Sequence, residues 1–311
     1  MDPSVEIRRR VAWWARALAV TLSLACVWVT LPRSASSAPR PVPSLSHVFV
    51  VVMENRSYAD ALADPGVARL ASRWALATNY YAVSHPSLPN YLALTGGSTF
   101  GVTSDCVTCF VGAPNLLSEL AAAHVSAAAY FEGVPGPCYL APWGGTGFAS
   151  KHDPFRYFRD VRASRTLCGA LRPYSELASV LARPAASVPR FVWVTPNLCN
   201  DGHDCSTAVA SAWLTRFVAR VTASAAWRQN GALFVVWDEG AGSAGVVGAR
   251  VTPTSGGGQV AALVIAPGIP AGRRVATPLN HYSLLATIEV AFGVARLGHA
   301  VGASTFALFF R

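Results

Sequence analysis

His47–Met53 (HVFVVVM) is an unbroken run of apolar, mostly β-branched residues. A strand covered on both faces has this composition, because neither side of its pleat meets water. Shorter runs of similar character lie at 126–131, 190–195 (RFVWVT), 232–237 (ALFVVW) and 259–265. Between them the apolar spacing changes to three and four, which predicts helices over 64–77, 116–124, 174–182, 206–223 and, near the end, 282–292. Residues 132–172, rich in Gly, Pro and aromatics, predict a long loop or cap of the kind that carries function. Residues 240–258 predict a glycine-rich loop. Strands alternating with helices predict crossover units, hence an α/β fold with a mostly parallel central sheet in three layers.

Ahead of this body, Arg8, Arg9 and Arg10 precede a largely apolar stretch over 17–31, followed by the small residues SASSAP. That order makes a secretory leader cut after Ala38 or, if uncleaved, a membrane anchor. The paired arginines also fit twin-arginine export loosely. Residues 1–38 are therefore assigned as leader, 39–45 as linker and 46–311 as the working domain, secreted or held in the cell envelope. No later apolar run reaches the roughly 18 residues that span a bilayer.

At 52% hydrophobic and 13% charged, the chain is not disordered. Losing 1–38 removes five Arg and two acids, which lowers the net charge from +9 to +6. A modest positive field favours anionic substrates and transient contact with a membrane surface, although a codon bias for Arg would give the same count. No basic cluster interleaves with aromatics, so nucleic acid is not an expected partner. Cys26 falls in the leader. The remaining six cysteines allow fifteen disulfide pairings, of which loop proximity favours 106–109, 138–168 and 199–205. Zinc at Cys106 and Cys109 lacks a second ligand pair at finger spacing.

Several motifs are missing. There is no G-x-S-x-G, no H-E-x-x-H and no Walker lysine. Gly240, Gly242 and Gly245 spell a dinucleotide fingerprint, but the β-branched, Gly-rich run after them cannot form the helix that fingerprint needs.

In parallel sheets, polar groups just past the strand ends collect on one edge. Glu54 and Asn55 follow the first strand, and Asp238 and Glu239 follow 232–237. Both pairs suit a divalent cation, since adjacent carboxylates repel unless a cation or proton intervenes. Each pair taken alone could equally be a cap or a solvated loop. His85 and Ser87 follow another extended segment, with Ser87 just ahead of a helix predicted to open at Pro89. A phosphoryl group could bind the free N–H groups of that helix, and a metal-activated serine could attack it, although Ser also serves as an ordinary N-cap there. Asn197 and the loop NLCNDGHDC place His203 between Asp201 and Asp204. A histidine held by carboxylates can act as a general acid, although N-D-G also spells a surface turn. His152 lies in the cap, and His281 precedes the last helix.

Six blocks occur in order: MENRSY, SHPSLPNYLAL, SKHDPFRYF, PNLCNDGHD, VVWDEG and NHYSLLATIEVAFG. With them the chain resembles, over about residues 45–295, the phosphoesterase family of bacterial phosphatidylcholine-type phospholipases C and AcpA-like acid phosphatases. It is most similar to the short, secreted mycobacterial acid phosphatases of the SapM type. The resemblance implies an alkaline-phosphatase-like α/β sandwich. It also implies a metal held by Glu54, Asn55, Asp238 and Glu239, with Ser87 as the phosphoryl-accepting nucleophile. His152 and His203 would contact the phosphate, one of them protonating the leaving group, while His281 matches a late family histidine less closely. The second, histidine-rich metal set of two-zinc alkaline phosphatases is missing, which implies one divalent ion. The loop GAGSAG after WDE offers no further acidic ligand. The expected activity is hydrolysis of phosphate monoesters, small molecules or phosphoinositides. A phospholipase C-type diesterase and an exported, non-catalytic metal-binding protein are the rivals.

Overall fold

All seven residues of His47–Met53, strand β1, are buried, as their composition requires. A computed structural model describes residues 42–311; the leader assigned to 1–38 lies outside the described residues. The further strands are β2 (Ala75–Ala77), β3 (Tyr80–Tyr81), β4 (Ala127–Phe131), β5 (Leu171–Pro173), β6 (Phe191–Thr195), β7 (Gly231–Trp237), β8 (Gly245–Val247), β9 (Arg250–Thr252), β10 (Ala262–Ile265), β11 (Arg274–Val275) and β12 (Leu279–Asn280). Eight of them form the central sheet, in the order β11-β2-β10-β7-β1-β6-β4-β5. Only β10 runs against its neighbours; the other pairings are parallel. β1 and β7 pair in register from His47 opposite Gly231 to Met53 opposite Trp237, so the two strands end level.

Helices cover both faces. On one, Pro65–Arg73 packs against Thr207–Ala223; on the other, Ser87–Gly96 packs against His281–Phe292. Thr207–Ala223 buries Ala210, Trp213, Leu214, Phe217, Val218 and Val221, spaced three and four apart as a helix stripe. Burying each of the larger side chains contributes about 1.5–3 kcal/mol. His281–Phe292 starts in a capping box between Asn280 and Ser283 and ends at Gly293, whose φ of 68° suits glycine. Among the described residues, no helix is long and apolar enough to cross a membrane.

Four expectations need correction. The helix predicted over 64–77 stops at Arg73, and Ala75–Ala77 becomes a strand between β10 and β11, where backbone pairing outweighs the helical propensity of alanine. The stretch 132–172 is not bare loop: it holds the short helices Arg159–Ala163 and Arg165–Cys168 and ends in edge strand β5. Residues 240–258 contain the β8–β9 hairpin. The serine-bearing helix opens at Ser87, with Pro86 as N-cap and Pro89 within the first turn, where its missing N–H leaves no bond unmade. Disulfides join Cys106 to Cys109, Cys138 to Cys168 and Cys199 to Cys205, the pairs that loop proximity favours.

Candidate active site

The level ends of β1 and β7 put Glu54 and Asp238 side by side, and the Asp238 N–H donates to the Met53 carbonyl (3.0 Å). Asp201 joins from the loop after β6, its carbonyl accepting the Glu54 N–H at 2.9 Å. Glu54, Asp201 and Asp238 are fully buried, and Glu239 nearly so. Asn55 enters through its backbone: its N–H donates to Asp238 Oδ1 (3.1 Å), at a φ of 45° that asparagine tolerates. Arg56 braces the junction by donating to the carbonyls of Asn55 and Cys205.

Ser87 opens its helix facing this cluster. Its buried hydroxyl lies 3.1 Å from Glu54 Oε2 and 3.3 Å from Glu239 Oε1. Tyr91, one turn on and so on the same face, donates its hydroxyl to Glu54 Oε1. The Tyr91 ring stacks on His152, with centroids 5.3 Å apart. His152 Nε2 lies 3.3 Å from Glu54 Oε2, and its Nδ1 lies 3.3 Å from Asp201 Oδ2.

These carboxylates carry more negative charge than their surroundings neutralise. Burial first, then Asp238 and Asp201, pushes the Glu54 carboxyl well above its ordinary range. Burial, then Glu239, raises Asp238 to about 7, and burial raises Asp201 to about 7. Burial, then Lys151 and His203, holds His152 well below the usual histidine value and so neutral. His152 Nε2, Asp201 Oδ2 and Asp238 Oδ2 are buried without a hydrogen-bond partner. Buried polar atoms are nearly always satisfied, so three orphans in one negative cluster fit a divalent cation. Glu54, His152 and Asp201 each offer one ligand atom, all within 4.8 Å of one another. Carboxylate oxygens with one imidazole nitrogen accept Mg²⁺, Mn²⁺, Ca²⁺ or Zn²⁺.

The other candidates sit around this cluster in different roles. The His203 backbone N–H donates to Asp201 Oδ1 (2.7 Å), and its ring Nδ1 lies 2.6 Å from Asp204 Oδ1. His85 bonds Glu239 through Nδ1 and the Gly242 carbonyl through Nε2 (2.8 Å). Both partners are acceptors, which favours the imidazolium: burial lowers the His85 pKa, but Gly242 and then Glu239 outweigh it and raise it. His281 lies behind the site, between the Asp238 carbonyl (2.6 Å) and the Tyr80 hydroxyl (2.8 Å), and burial lowers it to about 4. It is a neutral pin for the Asp238 backbone. Asn197 turns its side-chain oxygen to the N–H groups of Cys199 and Asn200, so it shapes the loop.

Sequence reasoning missed three participants. Tyr91 was legible as the residue four positions after Ser87. Lys151, the chain's only lysine and next to His152, was legible as an outlier. Its Nζ lies 3.0 Å from His203 Nε2 and 3.1 Å from Asp105 Oδ2; burial opposes its charge, but Asp105 outweighs that and raises its pKa. Asp105 carried no sequence signal; its Oδ1 accepts the Leu88 N–H at 2.9 Å.

A level pair of parallel strands with buried acids at their ends, and a serine opening a helix opposite, fits an alkaline-phosphatase-like α/β sandwich. A solved protein of the alkaline phosphatase superfamily from Vibrio parahaemolyticus shares this fold, with a TM-score of 0.56 at 13% identity over 83% of this chain and 70% of that one. The family model described as "Phosphoesterase family" matches residues 63–295, and the chain belongs to that family. It is 33% identical to the phosphatidylinositol-3-phosphatase of Mycobacterium tuberculosis over 93% of this chain and 92% of that protein. It is 28% identical to a phosphate-repressible acid phosphatase of Penicillium chrysogenum, over 79% of this chain but only 58% of the fungal protein.

Proposed function

We propose that this protein is an extracytoplasmic, metal-dependent phosphatase that hydrolyses phosphate monoesters through a phosphoserine at Ser87. The observation that carries the reading is the Ser87 hydroxyl within hydrogen-bonding reach of two buried carboxylates, Glu54 and Glu239, beside three unpartnered ligand atoms. One divalent ion held by Glu54, Asp201 and His152, with Asp238 alongside, would lower the Ser87 hydroxyl pKa and offset charge on the phosphoryl oxygens.

The chain's own residues do the rest. Glu54 and Glu239 flank the hydroxyl and aim its oxygen, and Glu239, the one not assigned to the ion, takes the single seryl proton. Tyr91 holds Glu54 in one orientation, while His281 and the Asn55 N–H fix the backbone and carboxylate of Asp238. Asp204 orients the His203 ring, and we assign to its Nε2, which accepts from the Lys151 ammonium, the passing of that proton to the leaving oxygen. The three disulfides suit an oxidising compartment. Similarity to a phosphatidylinositol-3-phosphatase supports phosphoinositides, alongside soluble monoesters, as substrates. The test is p-nitrophenyl phosphate hydrolysis across pH 4–9, with EDTA and with each divalent ion. The expected result is metal-dependent turnover that Ser87→Ala abolishes without changing the melting curve. Substantial activity in well-folded Ser87→Ala would refute the assignment.

A further inference from the structure

We propose that Lys151 binds the substrate phosphate and that Asp105 is a resident placeholder, holding the phosphate seat until substrate displaces it. The proposal rests on the phosphatase reading above. The first free N–H after the nucleophile, that of Leu88, is where a phosphoryl group attached to Ser87 would find a donor. The structure already puts an anion there: Asp105 Oδ1 accepts from Leu88 N at 2.9 Å, and Asp105 Oδ2 lies 3.1 Å from Lys151 Nζ. One carboxylate thus joins a helix N-terminus to an ammonium, the two contacts that suit a phosphate oxygen pair.

Two further observations place this seat against the reacting serine. Lys151 shares the short turn Ser150–His152 with His152, whose buried, unpartnered Nε2 lies 3.3 Å from the Glu54 oxygen that accepts from Ser87. An ammonium can only donate, so His203 Nε2, 3.0 Å from Lys151, must accept, and the ring proton sits on Nδ1 facing Asp204. Lys151 is therefore the group of this pair that offers hydrogens to an incoming anion. Asp105 itself lies between the helices ending at Gly96 and starting at Leu116, a stretch with no helix or strand. Its carboxylate can leave without unmaking a secondary element.

The chain's single lysine makes the proposal testable without turnover. Lys151 is the only side-chain amine, so its reductive methylation can be followed by peptide mass in the metal-loaded protein. Saturating inorganic phosphate is expected to slow that reaction about tenfold, because a multiply charged anion takes the place of the Asp105 carboxylate on the ammonium. In parallel, phosphate should inhibit Asp105→Asn about tenfold more tightly than wild type and Lys151→Met about tenfold less tightly, with Lys151→Arg restoring part. Equal methylation with and without phosphate would overturn the role of Lys151, even if Lys151→Met does not fold. Protection of Lys151 with unchanged inhibition of Asp105→Asn would overturn the placeholder. If instead wild type shows no hydrolysis, or Ser87→Ala retains it, the phosphatase reading has failed, and the methylation result still reports on anion binding.

Discussion

Replacing Asp238 by Asn removes one charge from the buried cluster while keeping an oxygen able to accept the Asn55 N–H. Asp238 is fully buried, with a carboxyl raised from 3.8 to about 7 by burial and then by Glu239. A carboxyl whose folded pKa is raised holds its proton more tightly in the folded state. Its relative stabilisation is complete below the unfolded pKa and is lost as pH rises through the folded one. Across those 3 units the metal-free wild type loses about 4 kcal/mol, nearly all of it between pH 4 and 7. Metal-free Asp238→Asn should therefore be the more stable protein at pH 8, by about 4 kcal/mol or roughly 7 °C in melting temperature. The two should converge near pH 4. Adding a divalent ion should reverse the order at pH 8, because the wild type gains the larger metal stabilisation. Thermal melts at pH 4, 6 and 8, in EDTA and in saturating metal, check this. An Asn variant less stable than wild type at pH 8 in EDTA, or equal metal stabilisation of both, would refute the idea that a cation answers the surplus charge.

Tyr91→Phe removes the hydroxyl that orients Glu54 and should weaken metal binding and turnover by roughly 10–100-fold, measured by metal titration of initial rates. Unchanged metal affinity would return Tyr91 to a packing role. Glu289, buried near the C-terminal end of the last helix with its Oε2 unpartnered, is raised by burial from 4.5 to about 7. Glu289→Gln should add about 3 kcal/mol of stability above pH 7, with the gain fading as pH falls toward 4.5, and urea melts at the two ends would detect it.

Much of this site was legible because its acids sit where strands end. A valine run long enough to be buried on both faces has to stop at its first charge. HVFVVVM-EN and ALFVVW-DE therefore announced Glu54 and Asp238 at one edge, and the register of β1 with β7 made them neighbours. Ser87 announced itself as the hydroxyl at a helix start, although the helix opens two residues earlier than the position of Pro89 suggests. The order of elements, the mostly parallel sheet and the local disulfide pairs follow from periodicity and loop length, which are properties of neighbouring residues.

Only tertiary structure decided what each polar residue touches. Nothing local distinguishes His152, clasped between Glu54 and Asp201, from His281, which holds a backbone carbonyl, because each is defined by elements far away in the chain. Asn55 and Glu54 are adjacent, yet one enters through its N–H and the other through its carboxylate, a difference set by a single left-handed backbone turn. Asp105 and Lys151, 46 residues apart, meet only because the cap folds back over the serine helix. Hydrophobic pattern is a one-dimensional record of burial, so the sequence by itself determined the layers and the edge on which the chemistry stands. Charge pairing depends on distances of 3–4 Å between remote segments, and those exist only once the sheet has closed its register and the loops have packed.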